Sequence, residues 1–406
     1  MPSRTIFAID AGSHSLKGLA ANINPKKEAI EILAKVEAPS SGIKNGLVVD
    51  VDDASRAISL LIDQLEAILE RDIKEVVVSV GGPQIETRFV KGTVVVSRAD
   101  EEIGKEDVER AIQAAESTSL PQNRILLHII PRSFLIDEQD RVKDPIGMRG
   151  TRLSCEALVI DTLSPTIRQL EKCFNAIGVI PSSMVSSILA GSWATVPKKE
   201  RDLGVCAIDL GAETTTMTVF EEGQLIHANI IPIGSRHVTG DIASALKIHF
   251  DDAEKIKLGA GHAFPGHVSR KDTVQLSDFV SGAQESISKR YLAEIIEARI
   301  AEIFELVVAE LKRINRIGKL PGGAILFGGG SKIPDIDSLA KHELKLASRI
   351  ANLEHYRKLF PEGIEIQYYQ ACGLVLWAAD SILNLRKQQE RGFFRALKHL
   401  FRAFLP

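Results

Sequence analysis

Three glycine turns, each behind an apolar strand, hold the residues of this chain best placed for chemistry. The first reads Asp10-Ala11-Gly12-Ser13-His14-Ser15, the second Asp209-Leu210-Gly211-Ala212-Glu213-Thr214-Thr215, and the third Gly328-Gly329-Gly330-Ser331. Glycine lets the backbone approach an anion closely, and amides in such turns point their N–H groups into one concavity. Ser13, Ser15, Thr214 and Thr215 add hydroxyl donors. Phosphate binding is the chemistry these parts suit. Asp10 and Asp209 fall at strand ends, where a carboxylate can hold hydrated Mg²⁺ between itself and the phosphates. A single glycine turn is an ordinary way to leave a strand. Three in this order, two of them with Asp-x-Gly, make a set.

The elements that deliver these turns follow from apolar spacing. Residues 5–9 read as a short buried strand, and apolar residues resume at 16–23 as a second strand paired with the first. Ile58, Leu61, Ile62, Leu65, Ile68 and Leu69 recur at helical spacing, with Asp52 or Asp53 as the cap. That helix leads into the strand 75–80, stopped by Gly81-Gly82-Pro83. Residues 84–161 read as a separate α+β unit, with strands near 85–97, a helix near 105–117, strands at 124–136 and 155–161, and a polar loop over 137–152. An amphipathic segment around 165–177 precedes the strand 204–210 and the second turn. IFAIDAGS and VCAIDLGA repeat one strand-turn unit about 200 residues apart. This internal duplication predicts two related domains facing each other. Farther on, 253–315 reads as mostly helical, 323–335 as strand, triple glycine and a helix start after Pro334, and 370–385 as a last packed helix. From Leu385 to Arg391 the chain turns polar, as a short linker.

The composition is that of a globular chain of 406 residues, 45% hydrophobic and 25% charged, long enough for two large domains. A formal charge of −3 gives no global electrostatic case for nucleic acid as a partner. Cys155, Cys173, Cys206 and Cys372 lack CxxC spacing, which argues against a metal site or a disulfide framework and suits a reducing cytoplasm. Residues 1–9 lack the apolar stretch of a signal peptide, and no segment approaches the roughly 18 apolar residues of a spanning helix. The expectation is a soluble chain with one exception at its far end.

The three motifs AIDAGSHS (8–15), AIDLGAETT (207–215) and AILFGGGSKIPD (324–335) resemble the two phosphate motifs and the adenosine motif of the actin/Hsp70/sugar-kinase ATPase superfamily. The fold class this implies is α/β: a two-lobed actin-like ATPase fold with duplicated ribonuclease-H-like cores and an inserted α+β subdomain. The resemblance implies ATP and Mg²⁺ as cofactors. Gly12, Ser13 and Ser15 would hold one side of the phosphates, and Gly211, Ala212, Glu213 and Thr214 the other. Gly328, Gly329, Gly330 and Ser331 would approach the adenosine and α-phosphate. Glu254 and Lys257 resemble the pair near the ribose and adenine, although their spacing also fits a solvated helix face. Asp10 and Asp209 would hold Mg²⁺ through water and are the candidates for catalysis.

Within that superfamily, four stretches resemble FtsA, the bacterial actin-like cell-division family. They are LLHIIPRSFLID (126–137) with DPIGMRGTRL (144–153), IIPIGSRHVTGDIA (230–243) and EARIAEIFELV (297–307). The match runs in order from about residue 5 to 380. It implies subdomain 1A at 1–83 with 345–385, inserted subdomain 1C at 84–162, 2A at 163–225 with 301–344, and 2B at 226–300. It also implies a scaffold in which ATP closes the cleft and the closed form self-associates into filaments. The implied partners are the C-terminal peptide of FtsZ, on about 226–300, and later divisome membrane proteins. Several residues depart from the family pattern. The lysine of the first motif comes late, at Lys17. Glu213 stands where glycine is common, and Thr216 where a second acid is common. The stretch 185–194 offers Ser186 and Ser187 but no acid or amide to position water, which predicts ATP binding with slow hydrolysis or none. A PilM-like pilus-assembly protein and a phosphotransferase on the same fold are the alternatives.

The exception at the far end is residues 391–406, RGFFRALKHLFRAFLP. At 100° per residue, Phe393, Phe394, Leu397, Leu400, Phe401, Phe404 and Leu405 share one face. Arg395, Lys398, His399 and Arg402 share the other. A helix of this length, roughly 24 Å, is shorter than the ~30 Å hydrocarbon core and would lie in the interface. Its apolar face would enter the acyl boundary and its cations would meet anionic lipids. A terminal helix packed on the chain's own core has the same pattern. The terminal position, the polar stretch before it and the concentrated charge favour the membrane. With 386–406 as linker and membrane helix, the expected location is the cytoplasmic side of the cell membrane at the division site.

Overall fold

The apolar run from Ile6 to Ile9 has no polar face to give to water, so it forms a strand buried on both sides. In the computed structural model, which describes residues 4–24, 29–117, 120–356, 360 and 364–391, that strand is the centre of the first of two matching sheets. The chain opens with β1 (Arg4–Ala11), β2 (Ser15–Asn24) and β3 (Ala29–Pro39), then the short hairpin β4 (Ile43–Lys44) and β5 (Leu47–Val48). It continues through α1 (Val51–Leu69) and β6 (Glu75–Val80). The insertion β7 (Glu86–Val95), α2 (Lys105–Ser117), β8 (Arg124–Ile136), β9 (Asp140–Val142) and β10 (Arg152–Leu163) follows. Next come α3 (Ser164–Ala176), β11 (Ile180–Ser186), α4 (Ser187–Thr195) and α5 (Lys198–Leu203). The second half runs β12 (Val205–Leu210), β13 (Thr215–Glu221), β14 (Gln224–Ile231), α6 (Ser235–Leu246) and α7 (Phe250–Ala260). It ends with β15 (Thr273–Gln275), β16 (Ser286–Ser288), α8 (Lys289–Arg313), β17 (Ala324–Phe327), α9 (Ile336–Leu344), β18 (Ser348–Ile350) and α10 (Tyr369–Arg391).

The duplication expected from the two strand-turn units is visible in the topology. The first sheet has the order β11-β6-β1-β2-β3, and the second β18-β17-β12-β13-β14. In each, the central strand carries an antiparallel meander on one side and two parallel strands on the other. The parallel strands need helical crossovers, and these helices cover the sheets. On α8, Leu292, Ile296, Ile300, Ile303, Val307 and Leu311 form one buried stripe against Cys206, Ile208, Val219 and Leu326 of the second sheet. Each such side chain contributes about 2 kcal/mol when fully buried. The helix α10 packs Ala371, Leu374 and Val375 against Ile6, Ala8 and Leu19 of the first. The insertion is a four-stranded sheet, β7-β10-β8-β9, covered by α2. It reaches the second lobe through a reciprocal pair, in which Arg132 Nε donates to Gln224 Oε1 at 3.0 Å and Gln224 Nε2 donates to the Arg132 carbonyl at 2.6 Å.

Four local expectations change. The cap of α1 is Asp50, whose carboxylate accepts from the Asp53 amide at 2.9 Å. Asp52 and Asp53 therefore occupy its first turn, where acids favour the helix dipole. Ile68 stays exposed at the far end of that helix, because the apolar stripe has drifted off the sheet by its last turn. Residues 261–288, inside the stretch read as mostly helical, hold the β15–β16 pair and short 3-10 turns. The expected linker after Leu385 is helical as far as Arg391, since nothing in that polar run breaks a helix. The predicted membrane face, Phe393 to Leu405, lies outside the described residues.

Candidate functional site

Two hairpin turns built alike bring the predicted aspartates to one place. In the first lobe, Asp10 pairs with Lys17 across β1 and β2. In the second, Asp209 pairs with Thr216 across β12 and β13. The turns between them are equally tight. A β-carbon on Gly12 would come 2.7 Å from the Ser15 carbonyl oxygen, and one on Gly211 would come 2.8 Å from that of Thr214. The third turn closes on the second. Gly328 has φ +84°, and a β-carbon there would collide with Asp209 Oδ1. Only glycine allows that approach without strain.

The three turns frame a cleft of about 500 Å³ between the lobes. That volume lies in the range of small-molecule sites. Asp10, Asp209 and the predicted residues Gly12, Ser13, Ser15, Gly211, Ala212, Glu213, Thr214, Gly328, Gly329 and Gly330 all line it. Ser331 does not. It is buried, and its hydroxyl donates to the Gly328 carbonyl at 2.7 Å, so it stiffens the third turn rather than facing the cleft. Thr215 is likewise turned away, its hydroxyl donated to the Ile233 carbonyl at 2.7 Å. Strand alternation explains this, because Thr214 and Thr216 line the cleft on either side of it. The Ser15 hydroxyl donates to Glu37 Oε1 at 2.5 Å, while Ser13 Oγ accepts from the Gly46 amide at 2.8 Å.

The pair Glu254 and Lys257 is not a solvated face. Lys257 is 5% exposed, and its ammonium donates to Glu254 Oε2 at 2.7 Å, Thr239 Oγ1 at 2.9 Å and the Ser235 carbonyl at 3.2 Å. These three bonds use all its donors. Lys257 therefore positions Glu254, which lines the cleft and also accepts from Thr239. Burial lowers the Lys257 pKa, opposed by the Glu254 carboxylate.

Several cleft residues escape a reading by motif. Ser79, at the end of β6, donates to Asp10 Oδ1 and accepts from the Ala11 amide, both at 2.9 Å. Lys17 reaches back over the first turn, donating to the Ser15 carbonyl at 3.1 Å. The motif marks it only as a late lysine, and the tight hairpin after Asp10 is what puts it opposite that residue. Arg236 and Lys332 add two more cations. The stretch 185–194 carries no acid or amide side chain, and its two serines part ways. Ser186 is buried, and its amide donates to His128 Nε2 at 2.9 Å. Ser187 lines the cleft, however, and its carbonyl accepts from Gln370 Nε2 at 2.9 Å. The first turn of α10, far along the chain, thus brings an amide side chain to this wall, with its nitrogen already given to Ser187.

The electrostatics of the cleft floor favour a cation. Burial raises the Asp10 pKa, opposed by the Lys17 charge and the Ser79 hydrogen bond. Burial, and then the charge of Asp10, push Asp209 up to about 7, opposed by Lys17. Two carboxylates held together in low dielectric resist joint ionisation unless a positive ion accompanies them. Among the described residues no group of three or more His, Cys, Asp or Glu could hold a metal by itself. A cation here would need further oxygens from a ligand, and the donor set fits Mg²⁺ carried with phosphates.

Comparison with known proteins decides the family. The model described as "Cell division protein FtsA" matches residues 206–369, and that described as "SHS2 domain inserted in FTSA" matches residues 82–161. The cell division protein FtsA of Borreliella burgdorferi is 33% identical over 93% of this chain and 91% of its own length. The chain belongs to the FtsA family of cell-division proteins. Its relative in Bacillus subtilis is 31% identical over 91% of this chain and 82% of its own, and that of Escherichia coli K12 is 27% identical over 96% and 93%. Among solved structures, a PilM–PilN type IV pilus biogenesis complex has a chain of similar fold, with a TM-score of 0.66, 17% identity and coverage of 93% and 99%. MreB 5 of Spiroplasma citri bound to AMPPNP has a TM-score of 0.55 at 14% identity, covering 97% and 100%. These likenesses establish an actin-like fold. The PilM alternative of the sequence therefore has a structural basis only, while the family models and relatives point to division. Among the described residues, no helix is long and apolar enough to cross a membrane.

Proposed function

We propose that this chain is the ATP-binding scaffold that ties the FtsZ division ring to the cytoplasmic face of the membrane, polymerising as it does so. The observation that carries the nucleotide part is the convergence of Asp10 and Asp209, from duplicated sheets, on one glycine-walled cleft. The amides of the Gly12 and Gly211 turns and the ammonium of Lys17 would hold the phosphates. Asp10 and Asp209 would hold Mg²⁺ through water, and the Glu254 carboxylate, fixed by Lys257, would take the sugar side. Bound Mg²⁺ supplies the charge that lets both aspartates ionise. The fold neighbour MreB 5 bound to AMPPNP supports the same use of the cleft. Because donors come from both lobes, occupancy is linked to the angle between them.

The membrane part rests on the sequence of 391–406, with seven apolar residues on one face and Arg395, Lys398 and Arg402 on the other. One such helix binds reversibly. Linking many in a filament raises their effective concentration, so polymerisation and attachment reinforce each other. The FtsZ C-terminal peptide would bind on about 226–300, later divisome membrane proteins would follow, and hydrolysis would be slow. The test is co-sedimentation with anionic liposomes, with and without ATP and with and without residues 391–406. Attachment that needs 391–406 and rises with ATP is expected, and attachment indifferent to both contradicts the reading.

A further inference from the structure

Asn45 and Gly46 form the tip of the β4–β5 hairpin, and their adjacent amides serve two different lobes. The Asn45 N–H donates to Glu213 Oε2 at 2.5 Å, and the Gly46 N–H donates to Ser13 Oγ at 2.8 Å. Ser13 belongs to the first glycine turn and Glu213 to the second, so one hairpin tip holds the crowns of both. With φ values of 49° and 73°, the two residues occupy the left-handed positions of a two-residue hairpin. The tip has no room to retreat, since a β-carbon on Gly46 would come 2.7 Å from the Gly82 nitrogen. Ser13 and the tip share a lobe, whereas Glu213 reaches over from the other. Its bond to Asn45 is thus a fastening across the cleft, with Arg236 3.8 Å from the second carboxylate oxygen.

We propose that Glu213 sets the preference between nucleoside di- and triphosphates, acting as a tethered anion on the amide a terminal phosphate would otherwise draw on. The proposal rests on reading the cleft as a nucleotide site. It concerns this chain's own residue, at the rim of the second glycine turn. With a diphosphate between the turns, the Glu213–Asn45 fastening stays. With a third phosphate there, the Glu213 carboxylate meets a second negative charge and has a competitor for the Asn45 N–H. Triphosphate binding therefore carries the cost of releasing Glu213, and release frees the second lobe from the hairpin tip. The same residue ties lobe angle to the terminal phosphate.

The experiment is calorimetric titration of the full chain with ATP and with ADP, each with Mg²⁺, for wild type, Glu213→Gln and Glu213→Gly. Glu213→Gln keeps size and a neutral acceptor for Asn45, so it guards against a result caused by misfolding. In both variants the ratio of ATP affinity to ADP affinity should rise about tenfold, the worth of one charge-assisted hydrogen bond. A preference equal to wild type, or lower, overturns the proposal while leaving the site intact. Failure of wild type to bind either nucleotide contradicts the site itself.

Discussion

Lys17 stands directly across the β1–β2 ladder from Asp10, while Thr216 holds the same place opposite Asp209 in the second sheet. The duplication therefore gives the cleft two aspartates but breaks its symmetry at their partners. Lys17 opposes the rise in pKa of both carboxylates, so one ammonium partly neutralises two lobes. A point charge on a flexible stem suits phosphate as well as carboxylate.

Replacing Lys17 with Met should weaken binding of ATP with Mg²⁺ by about tenfold to a hundredfold, the range of a charge-assisted contact. Thr216→Val, the equivalent change in the other lobe, should cost much less. Calorimetric titration of both variants checks this, and equal losses would remove the special role given to Lys17.

A pH dependence follows from Asp209. Its folded pKa, about 7, lies above the ordinary 3.8, so between those values the folded state holds a proton that the unfolded state has lost. The contribution of Asp209 to stability without ligand therefore falls as pH rises from about 4 through about 7, against the buried His128, His227 and His355, whose lowered pKa values give the opposite slope, while Mg²⁺ with nucleotide binds more tightly as the Asp209 proton leaves. Asp209→Asn should flatten the fall and raise the melting temperature at about pH 8, at the expense of Mg²⁺-dependent binding. Melting curves over this range, with and without Mg²⁺ and ATP, give the answer. A difference in melting temperature between Asp209→Asn and wild type that does not grow with pH would refute the burial argument.

Much of the cleft was legible from sequence because its turns are local. A glycine after a buried strand, followed by hydroxyls, is a pattern within six residues, and the repeat of IDxG marks the duplicated sheets. What needed the fold was long-range or a matter of facing. Ser79, Gln370 and the Asn45–Gly46 tip reach the cleft from separate elements, and no spacing rule links them to Asp10. Ser331 and Thr215 carry the right hydroxyls on the wrong side of their turns. Lys257 fitted either a contact near the sugar or half of a solvated i,i+3 pair, because burial is invisible without the α6–α7 packing that encloses it. Asp50 is hard to single out as the cap of α1 because three acids fall within four residues there and only backbone geometry separates them.

The Lys257–Glu254 pair makes a separate prediction about stability. Lys257→Met leaves a partly buried carboxylate without its cation and should destabilise the fold by about 3 kcal/mol. Adding Glu254→Gln should recover part of that loss, with a coupling energy of about 1–3 kcal/mol. Urea denaturation of the two single variants and the double variant measures the cycle. Strict additivity would show that the two residues act independently.

The claim on which the account depends is that Asp10 and Asp209 serve one bound nucleotide together through a shared Mg²⁺. Calorimetric titration of the full chain with ATP, with Mg²⁺ and with the metal chelated, tests it in wild type, Asp10→Asn and Asp209→Asn. One site per chain is expected, strengthened by Mg²⁺ in wild type, with the strengthening lost in either variant. Binding that ignores Mg²⁺, or that persists unchanged when either aspartate is replaced, would contradict it.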